Sequence, residues 1–146
     1  MKIKQLSIFL ENKPGHLESV CRTLADAKIN ILALSVADTQ QFGILRLIVE
    51  DWEHGLATLE KAGFAVKFTE VVATEVEDRP GGLARILKVV GRAGVNVEYM
   101  YAFAYRAQGQ ATMVFRFDDP DKAIAALRYS GINVLDSVEV FSRAKG

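Results

Sequence analysis

The sequence predicts an α+β protein built from two small modules in tandem, each running strand, helix, strand, strand, helix, strand. Three observations predict it. A stretch recurs, ENKPGHL at Glu11–Leu17 and EDRPGGL at Glu77–Leu83. The two halves keep register, with Glu11, Pro14, Gly15, Leu17, Ala27, Asn30 and Gly43 meeting Glu77, Pro80, Gly81, Leu83, Ala93, Asn96 and Gly109 at an offset of 66. In both halves the apolar pattern switches between period two and a spacing of three and four. A repeat this long exceeds the ~20–50 residues of solenoid units, so each copy reads as a small domain, 1–70 and 71–146. Helices on one face of an antiparallel four-stranded sheet make each a ferredoxin-like βαββαβ module.

The elements follow in order. Ile3–Leu10 alternates Leu6, Ile8 and Leu10 onto one face of a strand. After the PG turn, Leu17, Val20, Cys21, Leu24 and Ala25 form one helical stripe, which places Cys21 in the core; Leu83, Ile86, Leu87, Val90 and Gly91 repeat it. Ile29–Ala37 and Phe42–Val49 read as a hairpin. Asp51 is a helix cap ahead of Leu56 and Leu59, with Trp52 as a packing anchor, Gly63 as the stop and Phe64–Phe68 as a fourth strand. The second copy gives Val71–Val76, a helix from Pro80 to Ala93, Val95–Arg106, Gln110–Phe117, a helix from Pro120 to Tyr129, and a last strand Ile132–Phe141. Two extra residues near Asp118 change the offset to 68, where Asp51, Leu59 and Gly63 meet Asp119, Leu127 and Gly131. Tyr99, Tyr101, Phe103 and Tyr105 share one strand face and read as core or interface packing, since the basic residues and motif of an RNA-binding sheet are missing.

Composition narrows the function. Lysine plus arginine equals aspartate plus glutamate, 18 each, so no charge surplus favours nucleic acid or an anionic membrane. One cysteine and two histidines without ligand spacing give no disulfide and no metal site, and no cofactor motif is present. No apolar run approaches the ~18 residues of a membrane span, and the N-terminus lacks a signal pattern. A cytoplasmic protein is expected. No acid, base and nucleophile recur together in both copies, so no catalytic residues are assigned.

The turn carries the chemistry. Pro14 and Pro80 suit the first position of a helix. A glycine directly after them lowers helix stability by roughly 1 kcal/mol, and its open space suits a ligand at the uncapped N–H groups of the first turn, where the dipole favours a carboxylate. Asn12 offers a donor and an acceptor to a zwitterion, whereas Asp78 only accepts when ionised. Helix capping is the competing reading of both residues. Asn30 and Asn96 stand between β-branched neighbours at a strand entrance, which suggests a polar group aimed at a shared site. His16 reads either as a surface residue or as a ligand contact.

At these residues the chain resembles the ACT-domain family, regulatory modules that bind amino acids and other small metabolites. ENKPGHL followed by Ile29 and Asn30 is similar to the serine-sensing turn of 3-phosphoglycerate dehydrogenases; EDRPGGL with Val95 and Asn96 is a looser match. The resemblance implies a ligand between paired domains, with Asn12, Pro14, Gly15, His16 and Leu17 facing Asn96, and Asp78, Pro80, Gly81, Gly82 and Leu83 facing Asn30. It also implies a non-enzymatic amino-acid sensor that regulates a separate enzyme, without an attached catalytic domain. Modules of about 70 residues bury little surface, so they are expected to pack together and to pair as a homodimer. The alternatives are a structural subunit with degenerate sites and a small ferredoxin-like enzyme.

Overall fold

The computed structural model describes residues 2–145, and of Thr39, Arg106 and Ala107 the backbone alone. The elements are β1 (Ile3–Glu11), α1 (His16–Asp26), β2 (Ile31–Thr39), β3 (Phe42–Val49), α2 (Trp52–Lys61), β4 (Ala65–Glu77), α3 (Gly82–Arg92), β5 (Val97–Ala107), β6 (Gln110–Phe117), α4 (Pro120–Tyr129), β7 (Val134–Leu135) and α5 (Ser137–Ala144). The chain divides into two compact units, Lys4–Thr69 and a second that joins the residues up to Ile3 to everything from Glu70 onward. Each is a ferredoxin-like α+β module.

In the first unit β3 pairs antiparallel with β1 (Leu6 with Leu47, Ile8 with Leu45) and with β2 (Leu34 with Leu47). The start of β4 lies beside β1, where Lys67 sits over the Phe9 ring. Alternation puts Leu6, Ile8, Leu10, Leu45, Leu47 and Val49 on one face, and Val20, Leu24 and Leu59 of the helices close over them. Trp52 anchors this core, its ring 4.8 Å from that of Phe68. Asp51 caps α2 as expected, accepting from His54 N. Cys21 is a correction: it is exposed, and only Val20 and Leu24 of α1 are buried. Those two lie one turn apart, and Cys21 is rotated about 100° off their line.

The second unit orders its strands β5-β6-β4-β7. Val72 pairs with Phe115 and Ala73 with Leu135. Val72, Val76, Phe115 and Phe117 meet Ile86 and Val90 of α3 and Ile124 and Leu127 of α4.

Three expectations fail here. Phe64–Phe68 and Val71–Val76 do not form separate strands: β4 runs unbroken, since FTEVVATEVE offers neither proline nor glycine to interrupt it. The strand expected over Ile132–Phe141 is two residues long and gives way to α5, which a capping box starts: Glu139 N donates to Asp136 Oδ1 and Asp136 N to Glu139 Oε2. Finally, the two extra residues are not near Asp118. Val36 pairs with Leu45 and Ala102 with Met113, yet Thr39 pairs with Phe42 and Ala107 with Gln110, so they form a bulge between Ala102 and Arg106. Gly109 therefore corresponds to Gln41, and its alignment with Gly43 is accidental.

Helix α5 lies on the sheet face opposite α3 and α4. Tyr105 Oη donates to Val140 O at 3.3 Å, and Arg143 of α5 pairs with Glu75. The aromatic row is thus packing: Tyr101 and Phe103 are buried, and Tyr105 meets the Phe103 ring edge-on. Burial pushes the Tyr105 hydroxyl above its usual 10.0, against the opposing pull of the Thr112 hydrogen bond and the Arg143 charge. A raised value favours the neutral phenol in the folded state. The associated stability is complete below pH 10.0 and is lost as pH rises through the folded value. Tyr105→Phe is expected to cost about 1 kcal/mol at neutral pH and to flatten the alkaline fall in melting temperature. An equally steep fall in both proteins would assign the titration to another group.

Candidate functional site

Both PG turns are built on one backbone scheme. In the first, Asn12 N donates to Gln41 O at 2.9 Å and Lys13 N to Glu11 O at 2.9 Å; Ser19 N then donates to Gly15 O at 3.0 Å, opening α1. In the second, Asp78 N donates to Gly109 O at 2.9 Å, Arg79 N to Glu77 O at 2.9 Å and Arg85 N to Gly81 O at 3.0 Å. Each turn is therefore tied to the hairpin of its own module.

The glycines have a reason other than space. Gly15 and Gly81 are the N-cap residues, at φ 91° and 88°, in the left-handed region that glycine enters without strain. Pro14 and Pro80 thus stand outside the helices, not at their first position, and the glycine directly after each is the N-cap, not an interior helical residue. The space exists as well, since a Cβ on either glycine would meet nothing within 4 Å. The N-cap position itself is a glycine in both helices, so it supplies no side-chain cap bond. Asn12 Nδ2 donates to Gln40 O at 3.2 Å. The first-turn N–H groups behind a glycine N-cap and the positive dipole end make both helix starts suited to a carboxylate.

The turns differ at their helix entrance. Gly82 takes the place of His16, and a Cβ there would lie 2.0 Å from Glu77 O. The second turn is accordingly tighter, with Gly82 N 3.0 Å from Arg79 O against 3.5 Å from His16 N to Lys13 O. Charges differ too: Glu18 faces the first turn of α1, whereas α3 has no acid there and Arg79 and Arg85 stand near its start. Leu17 is 44% exposed beside the first turn, while Leu83 packs partly into its core. His16 is half-buried.

The asparagines are not beside the turns of their own modules. Glu11 pairs with Phe42 at one end of β3, while Ile31, next to Asn30, pairs with Val49 at the other. At ~3.3 Å per residue that separates turn from asparagine by roughly 23 Å. The second module repeats this, with Glu77 opposite Gln110 and Val97 opposite Phe117. Asn96 is fixed through its backbone, its N–H to Asp118 Oδ1 at 2.9 Å and its C=O accepting from Asp118 N at 3.1 Å. A single site that uses both features must take them from two modules.

Sequence reasoning passed over Arg85, Gln110 and Asn133, which with Glu77 and Gly82 border a hollow beside the second turn. Only the contrast with Ser19, Phe42 and Ala65 at the matching positions of the first copy could have pointed to them. Among the described residues no group of three or more His, Cys, Asp or Glu is placed to hold a metal ion, and no helix is long and apolar enough to cross a membrane.

Comparison with known proteins places this geometry. The chain is similar to protein BT0572 from Bacteroides thetaiotaomicron, at 39% identity over 97% of this chain and 96% of that one, with a TM-score of 0.90. The fold is shared with the ligand-free regulatory subunit of aspartate kinase from Thermus thermophilus, at 18% identity, TM-score 0.65, over 88% and 90% of the two chains. The Thermus flavus regulatory subunit gives 14% identity and TM-score 0.60 over 88% and 92%. No protein of curated function matches. The profile that describes an ACT domain pair matches residues 1–141. With both turns, both βαββαβ modules and nearly the whole length accounted for, the chain belongs to the ACT-domain family as an ACT domain pair.

Proposed function

We propose that this ACT domain pair is a non-enzymatic, cytoplasmic regulatory protein that binds an amino acid between modules and controls a separate metabolic enzyme. One observation carries the reading. Each module presents a helix start behind a left-handed glycine N-cap at one end and an asparagine at the other, so two modules complete what neither holds alone. The ligand's carboxylate takes the first-turn N–H groups, and its ammonium takes amide oxygens of Asn12 and of an asparagine from the facing module. Asn12, Gly15, His16 and Leu17 pair with Asn96; Asp78, Gly81, Gly82 and Leu83 pair with Asn30.

The two sites are unequal, because the Asp78 charge repels an α-carboxylate that Asn12 accepts. A homodimer supplies further pairing, and the exposed Leu34 and Val36 on β2 support it as apolar surface for a second copy. Binding shifts the relative populations of module arrangements, which the regulated enzyme reads.

A sensor of this kind works at Kd from micromolar to millimolar, about −8 to −4 kcal/mol. In a thermal-shift screen at least one amino acid is expected to raise the melting temperature, as ligands of the folded state do. Asn12→Ala is expected to weaken that response about tenfold or more, by loss of charge-assisted hydrogen bonds. Silence toward every amino acid and related metabolite at millimolar concentration would sink the reading.

A further inference from the structure

We infer that the C-terminal module holds a second small-molecule site of its own, a polar cleft beside the PG turn shaped for the carboxylate and ammonium of an α-amino acid. The inference rests on the proposed amino-acid function and moves part of it to residues outside the turns. The cleft measures about 170 Å³ and is lined by Glu75 and Glu77 of β4, Gly82, Arg85 and Ile86 of α3, Gln110 of β6, and the Gly131–Asn133 turn that leads into β7. At ~30 Å³ per water it has room for about six waters, and it is below the ~300–1,000 Å³ of sites for drug-sized ligands. A single small metabolite fits.

The charges select its type. Arg85 spends one guanidinium contact on Ser130 O, at 3.2 Å, which holds the side chain against the turn after α4 and leaves other donors of its fork for a carboxylate. Glu77, paired with Arg79, lines the same cleft, as does Glu75, whose carboxylate pairs with Arg143 of α5 on the other sheet face; neither cation lines the cleft. The Glu77 carboxylate has several lone-pair sites, so its ion pair with Arg79 does not prevent acceptance from an ammonium. Gln110 and Asn133 add amide groups, and Ile86 and Ile132 the apolar part. A second hollow that shares Gly131, Ile132 and Asn133 adjoins it and leaves space for a side chain.

The fold does not require this set. At the matching positions the first copy has Phe9 for Glu75, Ser19 for Arg85, Phe42 for Gln110 and Ala65 for Asn133, and only Glu11 repeats Glu77. The same backbone thus carries five polar or charged side chains at these positions in one module and, Glu11 and Ser19 apart, apolar ones in the other.

The test is a titration of the full chain with the twenty protein amino acids added singly, followed by ¹⁵N NMR of backbone and side-chain amides. At least one is expected to shift the side-chain amides of Gln110 and Asn133. Arg85→Gln should weaken those shifts about tenfold or more while leaving shifts at Asn12 and Asn96 as in the parent, and Arg85→Lys should restore part of the loss. Shifts at Asn12 or Asn96 with none at Gln110 and Asn133 would overturn the cleft and leave the proposed function standing. Shifts at Gln110 and Asn133 that survive Arg85→Gln undiminished would also overturn it. No shift anywhere would remove the function and the cleft together.

Discussion

Gly82→Ala is expected to be the most damaging single-methyl change in the chain. The added Cβ would lie 2.0 Å from Glu77 O and 3.0 Å from Glu77 C, and both are backbone atoms that no rotamer change can move aside. Relief requires opening the turn, which breaks the 3.0 Å bond from Gly82 N to Arg79 O and displaces the end of β4. We expect a loss of about 3 kcal/mol or more, or roughly 12–24 °C in the melting temperature of a module this size.

Two controls separate this clash from ordinary glycine effects. Gly81→Ala meets nothing within 4 Å and should cost only the left-handed strain, about 1–2 kcal/mol. Gly91→Ala, in open space inside α3, should stabilise by up to about 1 kcal/mol. Thermal melts of the three variants check the ranking, and a Gly82→Ala protein melting within a few degrees of the parent would refute the tight-turn account.

The same glycine shows what could be read in the sequence and what could not. The EDRPGGL stretch announced an extra glycine relative to ENKPGHL, but the steric reason is a close approach between residues five apart, visible only once the backbone closes. Element order was legible because buried faces write their period into the chain: Leu6, Ile8 and Leu10 alternate, and Ile86 and Val90 are a turn apart. The cap Asp51 was legible from local chemistry, and its counterpart Asp119 repeats it, each accepting from the N–H three residues on. The conversion of the last strand into α5 was not. Ile132, Val134 and Val138 suit a strand, and a two-bond capping box at Asp136 decided otherwise.

At the candidate site, the repeated turn and the paired asparagines stood out by duplication. Their separation within each module follows from sheet register, which no spacing reveals. The cleft around Arg85 was hidden for a different reason: its residues come from four separate places in the chain and differ between the copies, so no repeat marks them.

Phe115→Ala should cost as much as Gly82→Ala by a different route. Phe115 is fully buried on β6, opposite Val72 on one side and Met100 on the other, with its ring stacked on Phe117 at 5.3 Å between centroids. Truncation removes the transfer energy of the ring and leaves a cavity that the flanking strands cannot fill, about 3–5 kcal/mol in total. Against a total of about 5–15 kcal/mol this is about a fifth or more of the stability of a typical domain. Phe115→Leu places the residue of the matching position, Leu47, in the second core and should cost far less, about 1–2 kcal/mol. Denaturant titration checks both, with a lower midpoint and an unchanged slope marking a pure stability effect.

The consequence for function runs through β6 itself. The hairpin at its start holds Asp78 through Gly109 O, and Asp118 just past its end holds the backbone of Asn96. The strand is the spacer that keeps those two residues at opposite ends of the module. Phe115 binds that spacer to the helices without touching either end, so at low temperature, where the variant remains folded, its amino-acid response should match the parent's. A lost response in a folded Phe115→Ala protein would show that core packing, beyond the turn and the asparagines, sets the geometry of the site.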